Sequence, residues 1–194
     1  MASDPSTAYR IPSALRDLVM IDLLEITGST TATAELLAMS QPNVSRRYRA
    51  LADDLGLERR IDAPVGRRFG HAPWISLLRR GVNHHRLARG CLRVGGPPAL
   101  AAQLAGVPWA QWVHLGKAQR LHGPHLLRLE LLDALALDDD GPWDQEGLDL
   151  DHVALVELPS STGGALQLAC RRDPLVLQVV HAISREQGPG RLQR

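Results

Sequence analysis

Lysine is almost missing from this chain. Among 194 residues Lys117 stands alone, and arginine supplies the rest of the 22 basic side chains. We read that bias as coding-sequence composition rather than function. Cysteine is scarce as well. Cys91 and Cys170 lie far apart and fit neither a disulfide framework nor a CxxC redox motif, so both are expected as reduced core residues. Long apolar runs are also lacking. The opening MASDPSTAYR has no basic segment leading into an apolar one, so no secretory signal is expected. Residues 94–116 hold no Asp, Glu, Lys or Arg, but Gly, Pro, Gln and His interrupt them. A membrane helix needs ~20 predominantly apolar residues and is not expected here. A cytoplasmic protein is expected.

Signatures of catalysis and cofactor binding are missing too. Gly95-Gly96 follows a strand candidate, but neither GxGxxG nor GKS/GKT accompanies it. His122 and His125 form an HxxH pair with His114 upstream, yet no further ligands stand at recognisable spacing. His84 and His85 are adjacent, which turns them to different sides of a helix. Asp138, Asp139 and Asp140 lack the spacing and glycine of an EF-hand and read as a solvated loop. No Ser/His/Asp or Cys/His arrangement stands out. No enzyme, metal or cofactor is expected.

What is present is a soluble composition, 44% hydrophobic and 22% charged, in a chain long enough for one or two domains. The formal net charge is only +1. Its distribution is uneven: residues 1–93 carry 14 arginines against 9 acids, and residues 94–194 carry 8 basic against 12 acidic side chains. A basic half joined to an acidic half suggests a nucleic-acid-facing part attached to a different module.

The most informative stretch is 29–56, STTATAELLAMSQPNVSRRYRALADDLG. Ser40 is expected to cap a helix whose first turn holds Gln41 and Pro42, since a hydroxyl satisfies an orphan N–H and proline has none. Val44, Tyr48, Leu51 and Leu55 then recur at helical period and predict one apolar stripe. Gln41, Pro42, Asn43, Ser45, Arg46 and Arg49 fall outside the stripe, with side chains suited to base edges or phosphates. Upstream, Ala34 and Leu37 belong to a short helix opened by Ser29, Thr30 or Thr31. Two short helices, the second polar-faced, predict a helix-turn-helix that reads a major groove.

These residues resemble the N-terminal domain of LysR-type bacterial transcriptional regulators. The likeness rests on Gly28-Ser29, Ala34, Leu37, Ser40-Gln41-Pro42, Val44-Ser45-Arg46, Arg49-Ala50-Leu51 and Leu55-Gly56-Leu57. It implies that Gln41, Pro42, Ser45 and Arg46 face bases and that the Thr31 hydroxyl touches a phosphate. The chain departs from the family after Leu57, where Glu58-Arg59-Arg60-Ile61 replaces the usual Leu-Phe-x-Arg.

Around this stretch the reading is as follows. Residues 1–11 form a lead-in, and 13–27 a first helix ended by Gly28. Pro64 and Gly66 between short extended pieces in 56–69 predict a hairpin wing, where Arg67 and Arg68, with Arg59 and Arg60, track a phosphate backbone. A linker helix follows over 72–89, with Trp74, Ile75, Leu78, Val82 and His85 on one side and an arginine-rich other side. The resemblance implies that such a helix pairs two subunits. Beyond Gly90 the pattern turns to α/β: a strand at 91–94, a helix at 99–104, a helix restarted by Pro108 and carrying Trp109 and Trp112, and an alternating strand at 125–132. An acidic loop over 137–149, strands at 153–158 and 166–170, and a closing helix at 174–185 complete it.

This second half resembles, more loosely, one lobe of the LysR-type effector domain. About 100 residues follow the linker, roughly half of what the family normally has. In complete members the inducer lies between two lobes, helped by hydroxyls after the first strand; Gly95–Pro98 offer none, so a conventional small-molecule effector is doubtful. The expected fold is therefore α+β: a winged helix-turn-helix over 1–71, a linker helix over 72–90 and a small α/β effector-like unit over 91–194, akin to one lobe of a periplasmic-binding-protein-like domain. The expected function is a homodimeric regulator that binds double-stranded DNA. The alternative is a shortened relative that regulates by pairing with another protein without reading DNA.

Overall fold

The computed structural model describes residues 9–70, 72–138, 148–149, 151–162 and 164–186. The beginning of the lead-in and most of the acidic loop lie outside these residues.

A short 3-10 turn, Ser13–Leu15, leads into helix α1, Arg16–Thr27. Every residue from Val19 to Thr27 in α1 is buried, so it is a central helix, packed on all sides, rather than an amphipathic surface one. Gly28 stops it at φ 66°, in the left-handed region, where its N–H donates to the Leu24 carbonyl at 2.9 Å. Ser29 then opens α2, Thr30–Leu36, its hydroxyl accepting the Ala32 N–H at 3.2 Å. Ala38 makes the corner at φ 50°, and α3 runs from Gln41 to Leu55. The start of α3 differs from expectation: the Ser40 hydroxyl makes no capping bond. Extended backbone at Ser40 and Pro42 in the first turn define the start instead. Gly56, at φ 61°, ends α3.

The hairpin wing is replaced by a loop. No residue described between 57 and 70 is in a strand. One ladder-like bond, Arg60 N–H to Arg68 carbonyl at 2.8 Å, closes the loop, and turns at Ala63 and Arg67 fill it. Pro64 lacks the N–H a ladder needs, and Gly66 sits at φ 91°.

Helix α4, Pro73–Leu87, packs on α1. The side turned inward is not the one expected. Ile75 and Val82 are buried together with Arg79, Asn83 and Arg86, whereas Trp74, Leu77 and Leu78 are exposed at 37%, 67% and 42%. Arg79 and Arg86 are drawn in because acids wait for them, as described below.

Beyond α4 stand β1, Leu92–Gly96; a turn and the short helix α5, Ala101–Leu104; β2, Ala110–His114; α6, Lys117–Arg120; α7, Gly123–Arg128; β3, Ala134–Ala136; β4, Val153–Pro159; β5, Ala165–Arg171; and α8, Pro174–Glu186. The five strands form one sheet in the order β2-β1-β3-β5-β4. β1 pairs in parallel with β2 and β3, and β5 pairs antiparallel with β3 and β4.

Three expectations fail in this half. The Pro108 segment is a strand, β2, paired from Leu92↔Ala110 to Gly96↔His114. Its Trp and Val side chains suit a pleated surface. Residues 125–132 are not a strand: α7 occupies 123–128, with Leu126 and Leu127 both buried, which alternation would forbid. The missing strand is β3, three wholly buried residues with no alternation to reveal them.

Two apolar clusters flank the sheet. One packs β1 and β5 against α8, through Val94, Leu168, Val176 and Val180. The other runs without a break from Val44, Tyr48 and Phe69, through Leu23 and Leu24 of α1, to Val113, Leu115, Leu126 and Leu131. The three-helix unit and the sheet thus share a core.

An ionic cluster crosses the same junction. Arg79 Nε donates to Asp22 at 2.7 Å, and Arg93 reaches the other Asp22 oxygen at 3.5 Å. Asp133, with no exposed surface, accepts from Arg86, from Arg171 at 3.0 Å and from the Arg93 N–H at 2.7 Å. Burial opposes its charge, but Arg86, Arg171 and the Arg93 amide outweigh burial and hold the carboxyl at about 2, below the ordinary 3.8. The two cysteines are free and buried; burial pushes Cys91 up to about 11 and Cys170 to about 12, so both remain thiols at neutral pH.

Candidate nucleic-acid interface

The outward side of α3 is set by what its inward side holds. Val44 is fully buried, and the Tyr48 hydroxyl donates to the Phe69 carbonyl at 3.0 Å while its ring meets Phe69 edge-on at 5.6 Å. That fixes the rotation of the helix and leaves Gln41, Pro42, Asn43, Arg46 and Arg49 exposed, with Ser45 half-buried beside them. The Gln41 amide N–H2 donates to Thr30 Oγ1 at 3.0 Å and to Ser45 Oγ at 3.1 Å, so its carbonyl oxygen faces outward as an acceptor. Arg46 donates to Asn43 Oδ1 at 2.5 Å. Both contacts tether long side chains before any partner arrives, which lowers the entropy they lose on binding. Arg49 has no ion-pair or hydrogen-bond partner among the described residues and is exposed. Thr31 is exposed near the start of α2, close to Thr30 and hence to the Gln41 network.

The loop after α3 sorts its arginines into different jobs. Arg67 is exposed and its side chain is unpaired among the described residues. Arg60 pairs with Glu58 at 2.5 Å, both exposed, and Arg59 lies 5.4 Å over the Phe69 ring. Arg68 is turned inward. Its guanidinium donates to the Glu25 carbonyl and lies 3.7 Å from the Glu25 carboxylate. Sequence reading grouped Arg68 with Arg67 as a phosphate contact; the geometry separates them, because an arginine committed to a buried carboxylate is a strut for the loop.

Glu25 is the residue shaping this surface that sequence reasoning missed. Its buried carboxylate accepts the Gly66 N–H at 2.8 Å and the Phe69 N–H at 2.6 Å. Two backbone amides and Arg68 converging on one carboxylate hold the loop where a strand ladder was expected to. A glutamate inside the apolar run Ile21–Ile26 was the available signal, because a buried acid demands partners.

The remaining candidates do not assemble. Among the described residues no group of three or more His, Cys, Asp or Glu could hold a metal ion. His125 bonds instead to the Val65 carbonyl at 3.2 Å. No helix among the described residues is long and apolar enough to cross a membrane.

No family model and no curated protein matches this chain. Solved structures do show likeness. The chain is similar to a full-length OxyR variant from Pseudomonas aeruginosa, 21% identical with a TM-score of 0.35, over 77% of this chain and 55% of that one. It is also similar to HinK, a LysR family transcriptional regulator from Pseudomonas aeruginosa, at 17% identity and TM-score 0.30, over 74% and 51%. A third is full-length CbnR complexed with its target DNA, at 20% identity and TM-score 0.29, over 74% and 53%. The chain spans about half the length of these structures.

Proposed function

We propose that the chain is a LysR-type, sequence-specific DNA-binding transcriptional regulator, acting as a homodimer with α3 in the major groove. The observation that carries this is the sorting of α3: Val44 and Tyr48 lock inward while Gln41, Ser45, Arg46 and Arg49 stand on one solvent-facing side. In that pose the Gln41 oxygen and the Arg46 guanidinium address base edges, with Pro42 and Asn43 at the entering end. Arg49, Thr31 and Arg67 address phosphates, and Arg68 positions the loop. Residues 1–71 would form the DNA-contacting unit, 72–90 the linker and 91–194 the effector-like unit. Pairing through α4 is supported by its exposed Trp74, Leu77 and Leu78, a patch that a second copy would cover. A two-fold pair would set two recognition helices ~34 Å apart, in successive major grooves.

A gel-shift titration with upstream DNA tests the reading. Arg46→Ala is expected to weaken specific binding by ~1–3 kcal/mol; an unchanged affinity would remove α3 from the interface. The exposed α4 patch also suits the second reading, a regulator that pairs with another protein and leaves DNA alone. Specific DNA binding without co-purification of a partner protein excludes that reading.

A further inference from the structure

A cleft of about 830 Å³ lies where the three-helix unit meets the edge of the sheet. Its floor and walls come from three places: the lead-in with the start of α1, the α2–α3 corner at 36–38, and the sheet edge at Cys91 and Gln111. Its size is that of a small-molecule site.

The polar groups in it are of one kind. Arg10 and Arg16 both line the cleft, and neither has an ion-pair or hydrogen-bond partner among the described residues. The Arg16 Nε is shut off from solvent and has no hydrogen-bond partner among the described residues. The neighbouring acid, Asp17, is paired with Arg47 at 2.7 Å rather than with Arg16. Gln111 gives its carbonyl oxygen to Arg93 Nε at 3.0 Å, which leaves its amide N–H2 as a donor. Among the described residues no Asp or Glu lines the cleft. The two lining groups that could carry a negative charge are neutral. Burial raises the Tyr9 phenol above its ordinary range, and burial pushes the Cys91 thiol up to about 11. Between these donors the surface is aliphatic, from Ile11, Leu36, Leu37 and Ala110.

Two guanidiniums with no carboxylate among the described residues, beside a free amide donor and apolar walls, call for an anion with an apolar body. We propose that this cleft binds a small organic carboxylate, its charged end between Arg10 and Arg16 and its apolar end against Ile11 and Leu36. The site lies against the α2–α3 corner, so a ligand there touches the element that aims α3. Its role as an effector site rests on the regulator reading above; the binding itself does not.

Calorimetry on the full chain without DNA tests the site, using phenylacetate, octanoate and 1-naphthoate, with phenylacetamide as the uncharged counterpart of the first. Saturable binding of at least one carboxylate, with phenylacetamide bound more weakly or not at all, is expected. Arg16→Gln is expected to weaken that binding by about tenfold or more, the worth of a lost charged hydrogen bond. Arg10→Gln, on the exposed rim, provides a second variant whose folding is not at stake, and a smaller loss is expected. No saturable binding by any of the three acids, equal binding of amide and acid, or full affinity in both variants would overturn the proposal. A gel shift with and without the bound acid separates the two layers: binding with unchanged DNA affinity removes the effector role, whereas failure to bind DNA at all leaves the calorimetric result standing.

Discussion

Two groups of arginines in this molecule do opposite things. Arg46, Arg49 and Arg67 stand in solvent with no carboxylate partner among the described residues, whereas Arg79, Arg86, Arg93 and Arg171 are buried around Asp22 and Asp133 at the junction of helices and sheet. The difference lies in the acids. A guanidinium buried without a carboxylate costs several kcal/mol, so each of these four is drawn to a fixed carboxylate. Arg46, Arg49 and Arg67 stay outside, where their charge is available to a phosphate or a base. Glu25 shows the rule at the boundary, since it pulls Arg68 inward and leaves its neighbour Arg67 out.

This contrast can be broken from its buried side first. Asp133→Asn is expected to cost ~3–5 kcal/mol, because it strands the buried Arg86 without its counter-charge and leaves Arg171 only Asp173, at 3.5 Å; thermal unfolding reads the loss. The same carboxylate gives a pH dependence. Its folded value, about 2, lies below the ordinary 3.8, so its stabilisation is complete above pH ~4 and disappears as pH falls toward ~2. Acid unfolding of wild type compared with Asp133→Asn should show a steeper decline in the wild type across that window.

Glu25→Gln comes next. The amide cannot serve both the Gly66 and Phe69 N–H groups and the Arg68 charge as the carboxylate does, and ~1–3 kcal/mol of stability is expected to go. DNA affinity should fall with it, because the loop that carries Arg67 loses its anchor. Arg46→Ala should do the reverse, leaving the melting temperature unchanged while base discrimination suffers. Arg67→Ala is the mildest: the slope of log affinity against log salt should flatten by ~1, with sequence preference intact.

The three-helix part was legible in the sequence because its signals are local. Helical spacing of Val44 and Tyr48, Pro42 in the first turn and the glycines at 28 and 56 each act within a few residues. Gly28 and Ser29 perform as expected in the structure. The α/β half was less legible because its decisive terms are long-range. β3 is too short and too buried to alternate, β2 depends on pairing with β1, and the leucines of 126–132 fit either period until the sheet claims the neighbouring segment. The inward face of α4 was misread for a related reason. Helical periodicity treats arginine as solvent-facing, but Asp22 and Asp133, 57 and 47 residues away from Arg79 and Arg86, reverse that preference.

The most direct test of the outward face of α3 is selection of bound sequences from a random duplex pool, run in parallel on wild type, Gln41→Ala and Arg46→Ala. The account predicts that the wild type enriches a motif with two related half-sites about one helical turn apart, and that each variant loses enrichment at particular positions of the half-site. The same motif enriched equally by all three proteins, or no enrichment by the wild type, would contradict it.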